Sequence, residues 1–228
     1  KSSLDYLPVH AHIGIVGWFL LLVMGVGSRL IPMFLISKYS NIRQLWWIYG
    51  LVNVGLLAFV YIFLYTDSKS LLSIPLLVVA AAIVLFGDFC FKAYQQRIRK
   101  KVDEQMKVSL LSVLMMLLPV IFLALIITLL ILSPKENVSL IITYGSIIFF
   151  GWITAIILGM TFKTLPFIVW NKVYHHLAGK EKTPNPKDLF SNKVFKWMCI
   201  FYVLGFVLFS AGVLFHLIIV LQLAAALL

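Results

Sequence analysis

Charged residues are scarce in this sequence. They make up 12% of its 228 residues, whereas hydrophobic residues make up 62%. Soluble globular domains carry about 25% charged residues, so this composition excludes that class. Acidic residues are the rarest: eight Asp and Glu stand against nineteen Lys and Arg, for a net charge of +11. Because the basic residues flank apolar segments, the charge indicates membrane-flanking loops, and we expect no nucleic-acid partner.

Cysteine is also nearly absent. Cys90 and Cys199 are the only two, and no Cys-x-x-Cys or Cys-x-x-Cys-His motif occurs, which excludes covalent haem attachment and a zinc ribbon. We interpret both as small apolar packing residues. No Walker, Gly-x-Ser-x-Gly or His-Glu-x-x-His motif occurs either, so no nucleotide-binding or hydrolase site is indicated. Whether the protein is an enzyme stays open at this point.

Long apolar runs dominate what is present. A bilayer-spanning helix needs about 20 mostly apolar residues. Six runs meet this length, at about residues 8–37, 45–66, 71–91, 108–133, 138–170 and 197–228. The sequence therefore predicts an all-α integral membrane protein, with one transmembrane domain over residues 1–228 and the lipid bilayer around it. Because it starts without a Met or a signal peptide and stops in an apolar tail, we expect a portion of a longer protein, accompanied by other membrane subunits or a further N-terminal portion.

The basic residues are distributed unevenly between the two sides of the predicted membrane domain. Sixteen of the nineteen Lys and Arg lie on three stretches: from Arg29, near the end of the first run, to the second run; between the third and fourth runs; and from Lys163, near the end of the fifth run, to the sixth. Only Lys1, Lys69 and Lys135 lie elsewhere. Since Lys and Arg accumulate in cytoplasmic loops, we expect both ends of the chain to lie outside. In a bacterium this is the periplasmic side of the inner membrane.

The first and fifth runs share a spaced pattern. Each contains Gly-Trp, a second Gly, a basic residue and a Pro at the same spacing, offset by 134 residues: Gly17-Trp18, Gly25, Arg29 and Pro32 in the first, and Gly151-Trp152, Gly159, Lys163 and Pro166 in the fifth. Two such runs are four helices apart, so the pattern predicts a four-helix repeat, a common arrangement in membrane proteins.

Two histidines, His10 and His12, lie at the start of the first run, and the second copy has Tyr144 and Ser146 there. Imidazole is the commonest metal ligand, and ionisable groups at membrane depth are costly and usually functional. Residues two apart on a helix project about 200° apart, which suits two separate sites. In extended backbone they share a face, which suits one metal. Hydrogen-bonded caps are the alternative.

His216 lies in the sixth run. A helix that rises 1.5 Å per residue from Trp197 reaches the outer part of the bilayer near residue 216, at the predicted level of His10 and His12. Neutral imidazole is what haem iron or copper binds. We therefore take these three histidines as candidate haem or copper ligands, with Tyr144 and Trp18 as supporting residues. A hydrogen-bonded core histidine is the alternative for His216.

The segment His10-Ala-His12, with Gly14, Gly17-Trp18, Gly25 and Leu30-Ile-Pro32, resembles a helix of the haem–copper oxidase catalytic subunits. It is most similar to the cbb3-type branch and its nitric-oxide-related, NnrS-like relatives. The resemblance implies a larger bundle of helices in arcs of four, and histidines that ligate haem on two faces of one helix. It also implies a non-covalent, b-type haem, and electron transfer or diatomic gas chemistry near the periplasmic face.

The resemblance does not extend to the oxidase copper site. That site needs three further histidines, including a His-His pair on the outer side, whereas the only such pair here, His175-His176, follows the fifth run on the cytoplasmic side. Two other functions remain open. One is a copper-handling or metal-site assembly protein that uses the same three histidines. The other is a non-catalytic subunit of a respiratory or transport complex, in which the histidines are caps.

Overall fold

The computed structural model describes residues 3–98, 101–133, 137–180 and 182–227, and within them all regular structure is helical. In these residues, six helices are long and apolar enough to cross a membrane: α1 (Leu7–Leu35), α2 (Ile42–Tyr65), α3 (Ser70–Gln95), α4 (Glu104–Leu132), α5 (Val138–Leu177) and α6 (Asn192–Leu214). The chain is thus an all-α, multi-pass membrane protein. Four basic residues used for the predicted orientation, Lys1, Arg99, Lys100 and Lys135, lie outside the described residues.

The first five predicted runs agree with α1 to α5 to within a few residues at most ends. The largest difference among them is at the end of α5, which continues to Leu177 instead of residue 170. Pro32 and Pro166 both lie inside helices and end neither of them. Transmembrane helices tolerate proline where neighbouring groups satisfy the freed backbone carbonyl.

The predicted single helix over residues 197–228 is wrong. Helix α6 ends at Leu214, and a short helix, α7 (Ile218–Leu227), runs back along it. The reversal is made by His216, whose φ of 57° is left-handed, and by the Leu217 N–H, which donates to the Gly212 carbonyl at 2.9 Å, as in a Schellman C-cap. The last described residues therefore lie beside α6 and not beyond its Leu214 end, where the prediction placed them.

The chain divides into two compact units. The first comprises Lys1–Lys101 and Met116–Val138, and the second comprises Val102–Met115 and Ser139–Leu228. The division falls inside α4, where a turn at Met116 separates two α-helical segments. Pro119 has no N–H to donate to the carbonyl four residues earlier, which accounts for the interruption.

In the first unit, small residues let α1, α2 and α3 approach closely. A Cβ added to Gly17 would lie 2.5 Å from Leu56 Cδ2, and one added to Gly55 would lie 2.7 Å from Val79 Cγ2. Phe86 is fully buried between the helices, and its Cζ would lie 3.1 Å from a Cβ added to Gly27. Close packing at small residues thus positions α1, which carries two of the candidate ligands.

In the second unit, the first half of α4 packs along α5. The Ser112 hydroxyl donates to the Trp152 carbonyl at 2.9 Å, and Lys163 forms an ion pair with Asp103. Gly159 makes the closest approach: a Cβ there would lie 2.8 Å from the backbone nitrogen of Ser109. The two helices therefore contact at backbone distance, with a polar bond on each side of the glycine.

Both helices of the predicted repeat contain a π-helical segment, Ile13–Leu20 in α1 and Ile147–Ile153 in α5. These segments begin 134 residues apart. π-Helical turns are rare overall, but those that occur are often at functional sites. Because one occurs in each helix, however, this feature does not distinguish the histidine-bearing helix from the other.

Replacing Tyr202 with Phe is expected to lower the free energy of unfolding by about 1 kcal/mol. The Tyr202 hydroxyl lies 2.8 Å from the Phe150 carbonyl oxygen and 2.6 Å from that of Gly151, and donates at the π-segment of α5. A denaturing-detergent titration would measure the loss. Tyr61 is exposed, so Tyr61→Phe is the control, and equal stability of the two variants would contradict the prediction.

Candidate functional site

His10 and His12 lie in one α-helical segment, Leu7–His12, at the start of α1. The extended alternative is therefore wrong. On a helix the two side chains project about 200° apart, so they cannot both ligate one metal ion. They can serve two separate sites, one on each face of α1.

His12 is half-buried inside the first unit, and its imidazole is oriented by the chain itself. Nδ1 lies 2.7 Å from the Pro8 carbonyl oxygen, and the ring centroid lies 4.7 Å from that of Phe59 on α2. A carbonyl only accepts, so Nδ1 carries the proton and Nε2 carries the lone pair. Metal-ligating histidines are typically held in this way, with the second nitrogen donating to a carbonyl or carboxylate.

His10 is exposed on the opposite face of α1. Gly14 and Trp18 follow it at intervals of four residues, so all three share a face. No atom lies within 4 Å of a Cβ added to Gly14, and Trp18 is 68% exposed. The His10 face is consequently open for at least two turns, whereas the His12 ring packs against a neighbouring aromatic ring.

His216 has a clear local role in the second unit. It supplies the left-handed residue of the α6–α7 turn, and its Nε2 lies 3.0 Å from the Ser139 hydroxyl at the start of α5. Tyr144, the predicted supporting residue, is half-buried on α5 in the same unit. His10 and His12 belong to the first unit. Within the described residues, no three His, Cys, Asp or Glu side chains converge on a metal-sized site.

Replacing His216 with Gly is expected to leave the fold intact and change the unfolding free energy by less than about 1 kcal/mol. Glycine adopts φ above zero without strain, which offsets the lost bond to Ser139. His216→Val is the matched control, because a β-branched residue at this φ is strained. We expect the valine variant alone to unfold earlier in a thermal melt, and similar melts for the two variants would overturn this account of the turn.

Sequence reasoning missed the local roles of three residues that shape the candidate site. Pro8 orients His12, Phe59 packs against its ring, and Gly14 leaves the His10 face open. The Pro8 contact has a sequence signal, since residues four apart are neighbours on a helix. The Phe59 contact has no such signal, because α2 is apolar along most of its length.

A small cavity lies near the same ends of the helices. It has a volume of about 190 Å³ and is lined by Tyr6, Phe63 and Lys69, among others. This cavity is smaller than usual ligand pockets, which measure about 300–1,000 Å³.

Comparisons of the chain with protein-family models, curated protein sequences and solved structures gave no match. The resemblance of α1 to an oxidase helix thus depends on the residues of that helix. The functional conclusion has to come from its histidines and their surroundings.

Proposed function

We propose that this protein is a membrane-embedded haem-binding protein, in which His10 and His12 would hold haem iron, one on each face of α1. The observation that carries the proposal is the orientation of His12, whose Nδ1–H is donated to the Pro8 carbonyl. That bond presents Nε2 as the ligating nitrogen and fixes the plane of the ring. A bound haem supplies an iron that passes electrons or binds a diatomic gas.

The residues around both histidines fit a non-covalent haem. At His10, the glycine one turn further leaves room for a flat macrocycle against the helix backbone. At His12, Phe59 supplies an apolar ring beside the imidazole, and aromatic and aliphatic walls hold water away from such groups. No Cys-x-x-Cys-His motif is present, which supports a non-covalent haem, as in the b-type.

The second axial ligand and the setting follow from the rest of the chain. Within the first unit His10 and His12 are the only histidines, so a further histidine ligand comes from outside that unit. The distribution of basic residues supports an orientation with the His10 end of α1 at the periplasmic face of a bacterial inner membrane. Electron transfer or nitric oxide or oxygen chemistry near that face is the expected role, within a larger oxidase-like bundle.

We also propose that the helix pairs α1–α2 and α5–α6 are two copies of one repeat. Gly17 packs on Leu56, and Gly151 packs on Phe206. The glycines are 134 residues apart and their partners 150 apart. Further pairs at the 150-residue offset support the proposal, namely Asn41 and Ser191, which cap α2 and α6 through their side chains, Trp47 and Trp197, and Gly55 and Gly205.

One observation favours a second candidate, a non-catalytic membrane subunit. His12 bonds the backbone of its own helix, and His216 holds a turn and contacts Ser139. Both roles are structural and need no metal. In that case alanine at either position weakens local structure and changes no cofactor. For a copper-handling protein, no grouping of side chains in the described residues offers comparable support.

Titration of the purified protein with haem in detergent separates these candidates. We expect a shifted Soret band that saturates at a defined stoichiometry, weakened at least about tenfold by His12→Ala, as for loss of a ligand. His10→Ala tests the other face. His176→Ala is the control, since this exposed residue lies at the other end of a different helix. Binding that is equal in all four proteins would contradict the haem proposal and favour the structural subunit.

A further inference from the structure

One face of α1 is exposed where the corresponding face of α5 is covered. Trp18 is 68% exposed, whereas Trp152, 134 residues later, is 3% exposed. The same contrast holds between Gly25, which is exposed, and Gly159, which is buried. A transmembrane glycine in open surroundings has no evident packing role, which makes the contrast informative.

The cover on α5 is the first half of α4, and its contacts run antiparallel along one stripe. Asp103 pairs with Lys163, Ser109 packs on Gly159, and Ser112 donates to the Trp152 carbonyl. A serine side chain is small enough for the backbones to meet, and its hydroxyl finds a carbonyl. The stripe on α5 thus packs against a helix that has serines in its middle and a carboxylate opposite Lys163.

The stripe on α1 repeats these features. Trp18, Gly25 and Arg29 follow one another at intervals of seven and four residues, which is one helical face. We call these three residues the docking face. All three are exposed, and a Cβ atom added at Gly25 would meet nothing within 4 Å. Arg29 takes the place that Lys163 has on α5, at the same distance from the glycine.

We propose that the docking face binds a transmembrane helix of a partner subunit. That helix carries a serine or another small residue against Gly25, and an Asp or Glu about six positions away that pairs with Arg29. The inference depends on the proposed repeat and not on haem binding. Failure of the haem titration therefore leaves it standing.

Two observations argue against a second copy of this chain as the partner that binds the docking face. The first half of α4 has the required pattern, but its serine stripe is already packed on α5. Ala82 and Asp88 on α3 have it too, but Ala82 is buried and Asp88 pairs with Lys92. Two copies of α1 packed in parallel would place Arg29 against Arg29, a like-charge contact that destabilises the pair. A carboxylate from a different subunit has neither problem.

Photo-crosslinking in the native membrane tests the proposal. A photoreactive phenylalanine replaces Trp18 in the full-length natural protein, and the adduct is mapped by mass spectrometry. We expect an adduct with a transmembrane segment of another polypeptide that has the small residue and the carboxylate in this register. Arg29→Glu should lower its yield about tenfold, and changing that carboxylate to Lys should restore it. The same probe at Leu57 on α2, which is exposed as is its counterpart Val207 on α6, should label lipid alone.

Several results would overturn the proposal. These are an adduct at Trp18 with lipid alone, with the same polypeptide or with a second copy, or a yield that Arg29→Glu does not change. Gly25→Leu is a second variant that fills the space without removing a charge, and it should also lower the yield. Elution of both variants at the wild-type position in detergent would verify that they fold.

Discussion

Gly159→Leu is expected to separate α4 from α5 and to lower the free energy of unfolding by about 3 kcal/mol. A Cβ at this position would lie 2.8 Å from the Ser109 nitrogen and 3.0 Å from the Gln105 carbonyl oxygen. Both are backbone atoms, so no side-chain rotation relieves the clash and the helices have to move apart. The loss is measurable as an earlier midpoint in a denaturing-detergent titration of the second unit's tryptophan fluorescence.

Gly25→Leu is the matched control, because it places the same side chain at the corresponding position of α1. Nothing lies within 4 Å of a Cβ there, and leucine favours helix over glycine by about 1 kcal/mol. We expect the isolated chain to be as stable as the wild type, or more so. Equal losses of unfolding free energy for the two variants would contradict the difference in packing between the α1 face and the α5 face.

Asp103→Asn is expected to cost about 2 kcal/mol, because it removes the charge that Asp103 presents to the Lys163 ammonium. The two side chains are only 18% and 19% exposed, which limits solvation by water. Adding Lys163→Met to this variant should recover part of the loss, since removal of both charges is less costly than removal of one. A double-mutant cycle of unfolding free energies measures the coupling.

The control for this pair is Glu104→Gln. Glu104 and Lys107 are one turn apart at the start of α4, with side chains 44% and 57% exposed. Exposed pairs contribute less than about 1 kcal/mol, so we expect little change. A loss as large as that of Asp103→Asn would mean that general charge balance, and not the buried pair, stabilises this end of α4.

The transmembrane organisation could be predicted from the sequence because hydrophobicity over about 20 residues is a strong signal. Five helices were located in this way, and the spacing of Gly, Trp and Pro pointed to related features of α1 and α5. The turn at His216 could not be predicted, since it lies in an uninterrupted apolar run and depends on one left-handed residue and on Gly212. Hydrophobicity averaged over about 20 residues does not reveal a reversal of the chain made by three residues.

The candidate site was predictable only in part. Residue types identified His10 and His12, and helical geometry then separated them onto two faces. The role of His216 in a turn and the contact of His12 with Phe59 depend on tertiary packing. Neither leaves a periodic signal in the chain. The proposed partner helix emerged only from comparing exposure at equivalent positions, which no sequence pattern contains.

The most direct test of the haem proposal is the absorption spectrum of the full-length protein purified from its own membrane, first oxidised and then reduced with dithionite, beside His12→Ala. The account predicts a Soret band and sharp reduced α and β bands in the wild type, and their loss or shift in the variant, because a ligand to iron has been removed. A spectrum without haem bands from the folded wild-type protein would contradict it, and so would bands that His12→Ala and His10→Ala both leave unchanged.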